Sequence, residues 1–482
     1  MTTDLTTHRR SIRRGPVTTR QSAAPTGLSG AGLLTVLLGV ALPMIDFFIV
    51  NVALPTIDAD LHASTATLEL VVAGYGIGYA LLLVLGGRLG DSYGRRRLFL
   101  AGMTAFTVTS LACGLAPSAL TLVLARVAQG ASAAMMLPQV LSTIQATTTG
   151  QRRSRALGYY GAVGGLSSVV GQLLGGLLVS SDIAGTGWRP IFLVNVPVGI
   201  VGLALARRTV PETRSANPVG IDRLGTVLLG VTLLALLIPL MEGAALGWPV
   251  WMWLLLAATP FAATAFVLVE RRAERAGRVP LLPPSIMRMP SMRQGLSLGI
   301  PFFASFGGFM FVYAVTMQDA LRFGAFEAGL ALTPLAVGFF VVSLVSSRLA
   351  TRYGSKIVAH GALIQAVGVA TTIGAVFWAW PHVSVLDFAP GMAVIGVGNA
   401  MTMTTLFRVV LSGVPAERAG VGSGALATTQ QTSLALGVAT LGTLFASLSA
   451  AGELGTRNAF LLTLGVMFVI ACGIGVFGRR LP

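Results

Sequence analysis

The stretch GGRLGDSYGRRRLF, residues 86–99, is a basic turn set between two long apolar segments. It has an echo in SRLATRYGSK, residues 347–356, where Arg348, Leu349, Tyr353 and Gly354 repeat Arg88, Leu89, Tyr93 and Gly94, each 260 residues later. Four identities in ten would mean little anywhere else. Here both copies are basic and both join apolar spans, as expected of a chain built from two related halves that pivot against each other.

Outward from these turns the chain is overwhelmingly apolar. Counting Gly and leaving out Tyr, apolar residues make up about 65% of 482 and charged residues 10%, against a usual ~45–50% and ~25%. Runs of ~20 apolar residues, long enough to cross ~30 Å of hydrocarbon, recur fourteen times, from 31–55 and 67–87 to 420–448 and 458–478. The fold class expected is an all-α polytopic membrane protein. A plain repeat of six helices with loops would need ~180–200 residues, so the 260-residue offset leaves room for two inserted helices. The expected division is a basic tail over 1–28, a six-helix bundle over 29–207, linkers and two inserted spans over 208–294, and a second six-helix bundle over 295–482.

A formal charge of +16 could point to nucleic acid, but the distribution of the charge argues otherwise. Of 33 Lys and Arg, Arg189, Arg322 and Arg457 fall in alternate loops, Arg126 lies inside a span and Arg408 near a span end. The rest crowd the N-terminal tail, the other loops and the C-terminus. By the positive-inside rule both termini and the basic turns are expected in the cytoplasm of a plasma-membrane protein, with the lipid bilayer as partner and no nucleic acid. The tail, with Arg9, Arg10, Arg13, Arg14 and Arg20, has little to bury and should be disordered. Four scattered histidines, and Cys113 and Cys472 inside spans, offer no metal-ligand spacing, and no cofactor motif occurs.

Two charges stand inside the membrane. Asp46 sits in LPMIDFFIVNVALP, where a carboxylate costs at least ~2.5 kcal/mol, so the default reading is functional. A carboxyl in apolar surroundings can exchange a proton near neutrality; the alternative is a permanently paired structural acid. Arg126, in LVLARVAQGASAAMMLP, is the basic residue deepest in a span. At 1.5 Å per residue, Asp46 stands ~22 Å from the inner face and Arg126 ~20 Å, so the two share a depth. They are expected to form a proton-sensitive pair lining a central cavity, with Gln129 and Phe47 nearby.

Other spans carry weaker signals. In the fifth, Gly161, Gly164, Gly171 and Gly175 recur at helical spacing, with Gln172 and Gly176 beside them, giving either a hinge face or a static packing seam. In the ninth, Phe306, Met310 and Tyr313 suit bulky apolar ligands, or simply face lipid and neighbouring helices. The thirteenth holds ATTQQTS, residues 427–433, whose Gln430 and Gln431 must turn away from lipid.

These motifs resemble the major facilitator superfamily, and specifically its fourteen-helix branch of drug:proton antiporters. GGRLGDSYGRRRLF is similar to the family's signature between helices 2 and 3, IDFFIVNVALP to the helix-1 signature of the branch, and ARVAQGASAA to its helix-4 signature. The resemblance implies that Asp46 and Arg126 couple protons. It also implies a gating loop built from Gly87, Arg88, Asp91, Gly94, Arg95 and Arg96, with Asp91 meeting the start of helix 13 near 420–424. The second copy has Thr351 where the first has Asp91, so gating should be asymmetric. Gln172 stands where the antiporter signature has Pro, and Gln430 where an Arg is common, leaving no second acid.

The expected function is proton-coupled export of a lipophilic small molecule, a drug, dye or antibiotic, by a monomer working through alternating access. An uptake symporter would want charged and polar groups on several helices, and a sensor would want a soluble signalling domain. An enzyme would need a nucleophile, metal or phosphate motif, and none occurs.

Overall fold

In hydrocarbon a backbone must satisfy its own N–H and C=O groups, so each apolar run closes into a helix. A computed structural model describes residues 27–63, 65–214, 222–243, 246–278, 280–415, 418–449 and 453–481; all but the last two residues of the expected basic tail lie outside them. Fourteen helices among the described residues are long and apolar enough to cross a membrane. The first half supplies α1 (Gly30–Leu61), α2 (Thr65–Tyr93), α3 (Arg95–Gly114), α4 (Ala119–Thr147), α5 (Gly150–Ser180) and α6 (Pro190–Leu193 continued by Asn195–Thr209). Next come α7 (Arg223–Glu242) and α8 (Val250–Arg275). The second half supplies α9 (Pro290–Val315), α10 (Ala325–Ala331 and Thr333–Tyr353), α11 (Ile357–Ala379), α12 (Val385–Ser412), α13 (Ala419–Gly437 continued by Val438–Gly442 and Thr443–Ser449) and α14 (Glu453–Phe477).

Side-chain caps mark several helix starts. Ser29 Oγ accepts the Gly32 N–H at 3.0 Å before α1, and Ser118 and Thr121 form a capping box before α4.

The basic stretch is not the loop its polarity suggests. Helix α2 runs to Tyr93 and α3 starts at Arg95, so Gly94 alone, at φ 113°, makes the turn. That backbone conformation is open to glycine and strained for other residues. The helix continues past the fall in hydropathy because its polar groups are satisfied. Gln139 of α4 donates Nε2–H to Gly86 O at 2.8 Å, and Arg95 donates to Asp91 Oδ1 at 2.7 Å. The echo behaves alike: α10 ends at Tyr353 and Gly354 has φ 61°.

Packing shows the duplication more fully than sequence identity does. A methyl at Gly78 of α2 would strike Val127 O of α4, and one at Gly130 of α4 would strike Tyr75 O. In the second half Gly338 of α10 faces Ala393 O of α12, and Gly396 faces Leu335 O. Gly338 and Leu335 stand 260 residues after Gly78 and Tyr75, while Ala393 and Gly396 stand 266 after Val127 and Gly130. The pair α1/α5 matches α9/α13 in the same way: Gly171 abuts Ile45 O, and Gly437, 266 residues later, abuts Ala304 O, 259 after Ile45. Close backbone approach through glycine is what helices use when lipid removes the hydrophobic drive between them.

The fold is thus two six-helix bundles with α7 and α8 between them in the chain. Helix α7 packs on both α2 and α13; its Leu229, Leu233 and Leu237 share a core with Ala80 and Val84 of α2, with Ala435 of α13 against it. Helix α8 packs on α7 and turns Trp253, Leu254 and Phe261 outward.

Candidate functional site

Asp46 and Arg126 meet in the middle of the first bundle, and neither side chain has any exposed surface. Arg126 Nη1 donates to Asp46 Oδ2 at 2.5 Å and to Gln129 Oε1 at 2.8 Å. Gln129 Nε2 donates to Asp46 Oδ1 and to Ser110 Oγ of α3, both at 2.8 Å. Asn195 of α6 donates Nδ2–H to Asp46 Oδ1 at 2.7 Å. On its other edge Arg126 donates Nε–H to Val71 O of α2 at 3.0 Å, and its guanidinium lies 4.4 Å from the Tyr75 ring centroid.

This placement corrects the expected one in a specific way. The pair does not line a cavity between the halves; α1, α2, α3, α4 and α6 enclose it. Gln129, expected in the substrate cavity, braces the ion pair instead. The cause is energetic: desolvating two charges costs several kcal/mol per ion unless hydrogen bonds occupy their remaining donors and acceptors, and Gln129 and Asn195 supply most of them, with Ser110 holding Gln129; Arg126 Nη2 is left without a hydrogen-bond partner among the described residues. Asn195, Ser110 and Tyr75 were not legible as partners, because a lone amide, hydroxyl or phenol in an apolar span gives no sequence signal of what it faces.

Among the described residues the second bundle has no equivalent pair. At the offsets set by glycine packing, Asp46 corresponds to Ser305, Arg126 to Met392 and Gln129 to Ile395. All three are buried, and Ser305 Oγ donates to its own Phe302 O at 2.9 Å.

The two bundles meet at the end carrying the Gly94 and Gly354 turns. Ser142 Oγ of α4 and Ser423 Oγ of α13 are 3.1 Å apart. Gln145 Nε2 donates to Leu411 O and Val414 O beyond them, each at 3.3 Å. Nearer the middle, the Tyr160 and Phe407 rings pack edge-on at 5.7 Å. Of the expected gating group, Gly87, Arg88, Asp91, Gly94 and Arg95 are buried and Arg96 is half-buried. The start of α13 runs beside α2, where a methyl at Gly424 would lie 3.2 Å from Val84 Cα.

The glycine stripe of α5 serves two different partners. A methyl at Gly171 would come within 2.7 Å of Ile45 O, and one at Gly175 within 2.8 Å of Ile49 O, so this stretch is pressed against α1 on either side of Asp46 in height. Gly161 faces Thr404 of α12 in the other bundle at 2.7 Å, whereas a methyl at Gly164 would meet nothing within 4 Å. Gly176 is buried and Gln172 half-buried.

Of the remaining residues expected near substrate, Phe47, Phe306, Met310 and Gln431 are half-buried and Gln430 is 9% exposed. Tyr313 is not on a cavity wall. It is packed into the second bundle, with its ring 5.7 Å from Phe309 and 6.1 Å from Phe388, because its position on α9 faces the bundle core.

Comparison with known proteins gives a consistent picture. Residues 36–438 match the sequence profile of the Major Facilitator Superfamily. The chain is 34% identical to the probable actinorhodin transporter of Streptomyces coelicolor, over 89% of this chain and 75% of that protein. It is 36% identical to a cephamycin export protein of Amycolatopsis lactamdurans, over 90% and 87%, and 31% identical to a multidrug resistance protein of Mycobacterium tuberculosis, over 85% and 74%. Its fold is similar to that of the human organic anion transporter MFSD10, with a TM-score of 0.67 at 14% identity, covering 92% of this chain and 98% of that one.

Proposed function

Because the chain belongs to the major facilitator superfamily, in its drug-efflux branch, we propose that it is a proton-coupled antiporter expelling lipophilic small molecules, antibiotics or similar drugs and dyes, across the plasma membrane. The turn end faces the cytoplasm, as the basic residues require, and one chain suffices, since the bundles supply both sides of the path.

The observation that carries this reading is the enclosed Asp46–Arg126 pair. An ionised Asp46 accepts hydrogen bonds from Arg126, Gln129 and Asn195. A protonated Asp46 carries no charge to hold Arg126 and must itself donate from the oxygen that gains the proton, so the contact with Arg126 weakens and the cluster has cause to rearrange. Arg126 is also tied to α2 through Val71 O and Tyr75, and α2 carries Arg88 and Asp91 at its far end. A proton gained or lost at Asp46 therefore changes the load on the helix that bears the gate. The α5 glycines against α1 let that rearrangement occur without interlocked side chains.

With Ser305, Met392 and Ile395 in the matching positions of the second bundle, the reading is one titrating pair per cycle. The test is efflux in everted vesicles under an imposed pH gradient, with a panel of hydrophobic cations, neutral antibiotics and sugars. Acceleration of antibiotic or dye uptake into the vesicles, with proton release, supports antiport. Acceleration by sugars alone would overturn it in favour of symport.

A further inference from the structure

Arg408, on the last turns of α12 at the turn end, makes no hydrogen bond or ion pair with any described residue. It lines a cleft where the two bundles face each other, together with Ser154 and Leu157 of α5, Ser346 of α10, and Thr404 and Thr405 of its own helix. Thr405 is 2% exposed, and its Oγ1 has no hydrogen-bond partner among the described residues. Ser346 Oγ donates to Ser343 O and Thr404 Oγ1 to Ala400 O, each at 2.7 Å and within its own helix.

The duplication explains why a cleft stands here. At the offsets set by glycine packing, Arg408 and Thr405 correspond to Ser142 and Gln139, 266 residues earlier, Ser346 to Gly86, 260 earlier, and Leu157 to Ser423, 266 later. In the α4/α13 seam Ser142 and Ser423 close on each other at 3.1 Å, and Gln139 beside them donates to Gly86 O at 2.8 Å. In the α12/α5 seam the same four places hold a cation, an aliphatic chain and two short hydroxyls, which leave the guanidinium and Thr405 Oγ1 unsatisfied. None of the three helices offers an acid at this end: α5 has none, and Glu327 and Asp387 stand at the starts of α10 and α12. The exposed charges on α5 and α10 at this end are Arg152, Arg155, Arg348 and Arg352.

A half-buried guanidinium with an unfilled hydroxyl beside it calls for an anion. The cleft has about 200 Å³ of empty space, part of it open to solvent, less than the ~300–1,000 Å³ of drug-sized pockets, so it suits one small group and not a whole drug molecule. The forked N–H donors of arginine and the O–H of threonine and serine match the several acceptor oxygens of a phosphate. We infer that Arg408, Thr405 and Ser154 form a binding site for a phosphate group, brought by an acidic lipid of the adjoining leaflet or by soluble phosphate. Ser154 belongs to the first bundle and Arg408 to the second, so the bound group bridges the bundles and holds the turn end closed. The exposed arginines around the cleft draw such anions towards it. This clasp acts on the closed turn end whether or not Asp46 couples protons.

The test melts full-length protein in detergent with added short-chain phosphatidylglycerol, with the matched diacylglycerol that lacks the phosphate, or with inorganic phosphate, and takes Kd from the dose dependence of melting temperature. Phosphatidylglycerol should raise the melting temperature of the wild type, and diacylglycerol should not. Arg408→Gln should weaken that binding roughly tenfold or more, as expected for losing a charge-assisted hydrogen bond. Thr405→Val and, from the facing bundle, Ser154→Ala should each weaken it about threefold, the loss of one neutral hydrogen bond. Arg352→Gln, exposed outside the cleft, should change it less than about twofold. A response to phosphatidylglycerol alone assigns the site to a lipid headgroup, and a response to inorganic phosphate as well assigns it to phosphate from either source. Equal stabilisation by diacylglycerol, or binding by Arg408→Gln as tight as by the wild type, would overturn the site. If Arg408→Gln does not fold, Thr405→Val and Ser154→Ala decide: wild-type Kd in both overturns it.

Discussion

Replacing Asp46 with Asn tests the heart of the site, because size is kept while charge is lost. Asp46 accepts from Arg126, Gln129 and Asn195, and the arginine has no exposed surface. Asn offers one acceptor oxygen, and its NH2 would point at donors. Arg126 then keeps Gln129 Oε1, Val71 O and the Tyr75 and Phe192 rings, a buried cation without its counter-charge. Breaking a buried pair from one side costs ~3–5 kcal/mol, whereas removing both charges is close to neutral. The expected order of melting temperature in detergent is therefore wild type and Asp46→Asn/Arg126→Gln close together, with Asp46→Asn alone well below. Efflux driven by a pH gradient should be lost in both variants, which separates coupling from stability. Retention of gradient-driven efflux by Asp46→Asn would refute proton coupling at this pair. A single variant as stable as the double would refute the energetic argument.

Three further outcomes follow from the geometry. Gly94→Asn forces a side chain onto φ 113° and into Glu212, whereas Gly354→Asn occupies an open left-handed turn at φ 61°; the first should lower yield and melting temperature sharply and the second should cost less than ~1 kcal/mol. Gly171→Val must push α5 off Ile45 O and should slow transport, while Gly164→Ala, with open space around it, should leave rates within about twofold by vesicle assay. Asp60, at the opposite end from the turns, accepts from Arg189 Nη1 at 2.6 Å and Trp188 Nε1 at 3.0 Å, and Arg189 first, then Trp188, hold its carboxyl below the usual range. A lowered folded value gives stability that is complete above ~pH 4 and lost as pH falls through that lowered value. Trp188 fluorescence should thus be flat from pH 8 to 5 and change only in stronger acid, by a small amount for so exposed a pair, and Asp60→Asn should abolish that step.

Much of this architecture could be read before any coordinates. Apolar length sets the fourteen spans, since a bilayer admits little else, and the matched depths of Asp46 and Arg126 bring them to one level. Depth, however, says nothing about which way a helix faces. That is why Gln129 and Tyr313 were expected on a cavity wall and are found inside bundles, and why Asn195 went unnoticed. Hydropathy likewise ends a helix where charges begin, so α2 was cut short at residue 87 although Asp91 and Arg95 satisfy each other and the helix runs to Tyr93.

Helix α7 lying across α2 and α13 also makes the two seams between the bundles unlike on the side facing lipid. A molecule dissolved among acyl chains would find that flank of the transporter roofed by Leu229, Leu233 and Leu237. The opposite flank is closed instead by direct contact between the bundles, Gly158 and Gly165 of α5 touching Ser343 and Phe339 of α10, so the two seams differ in having a lid on one and bare helix on the other.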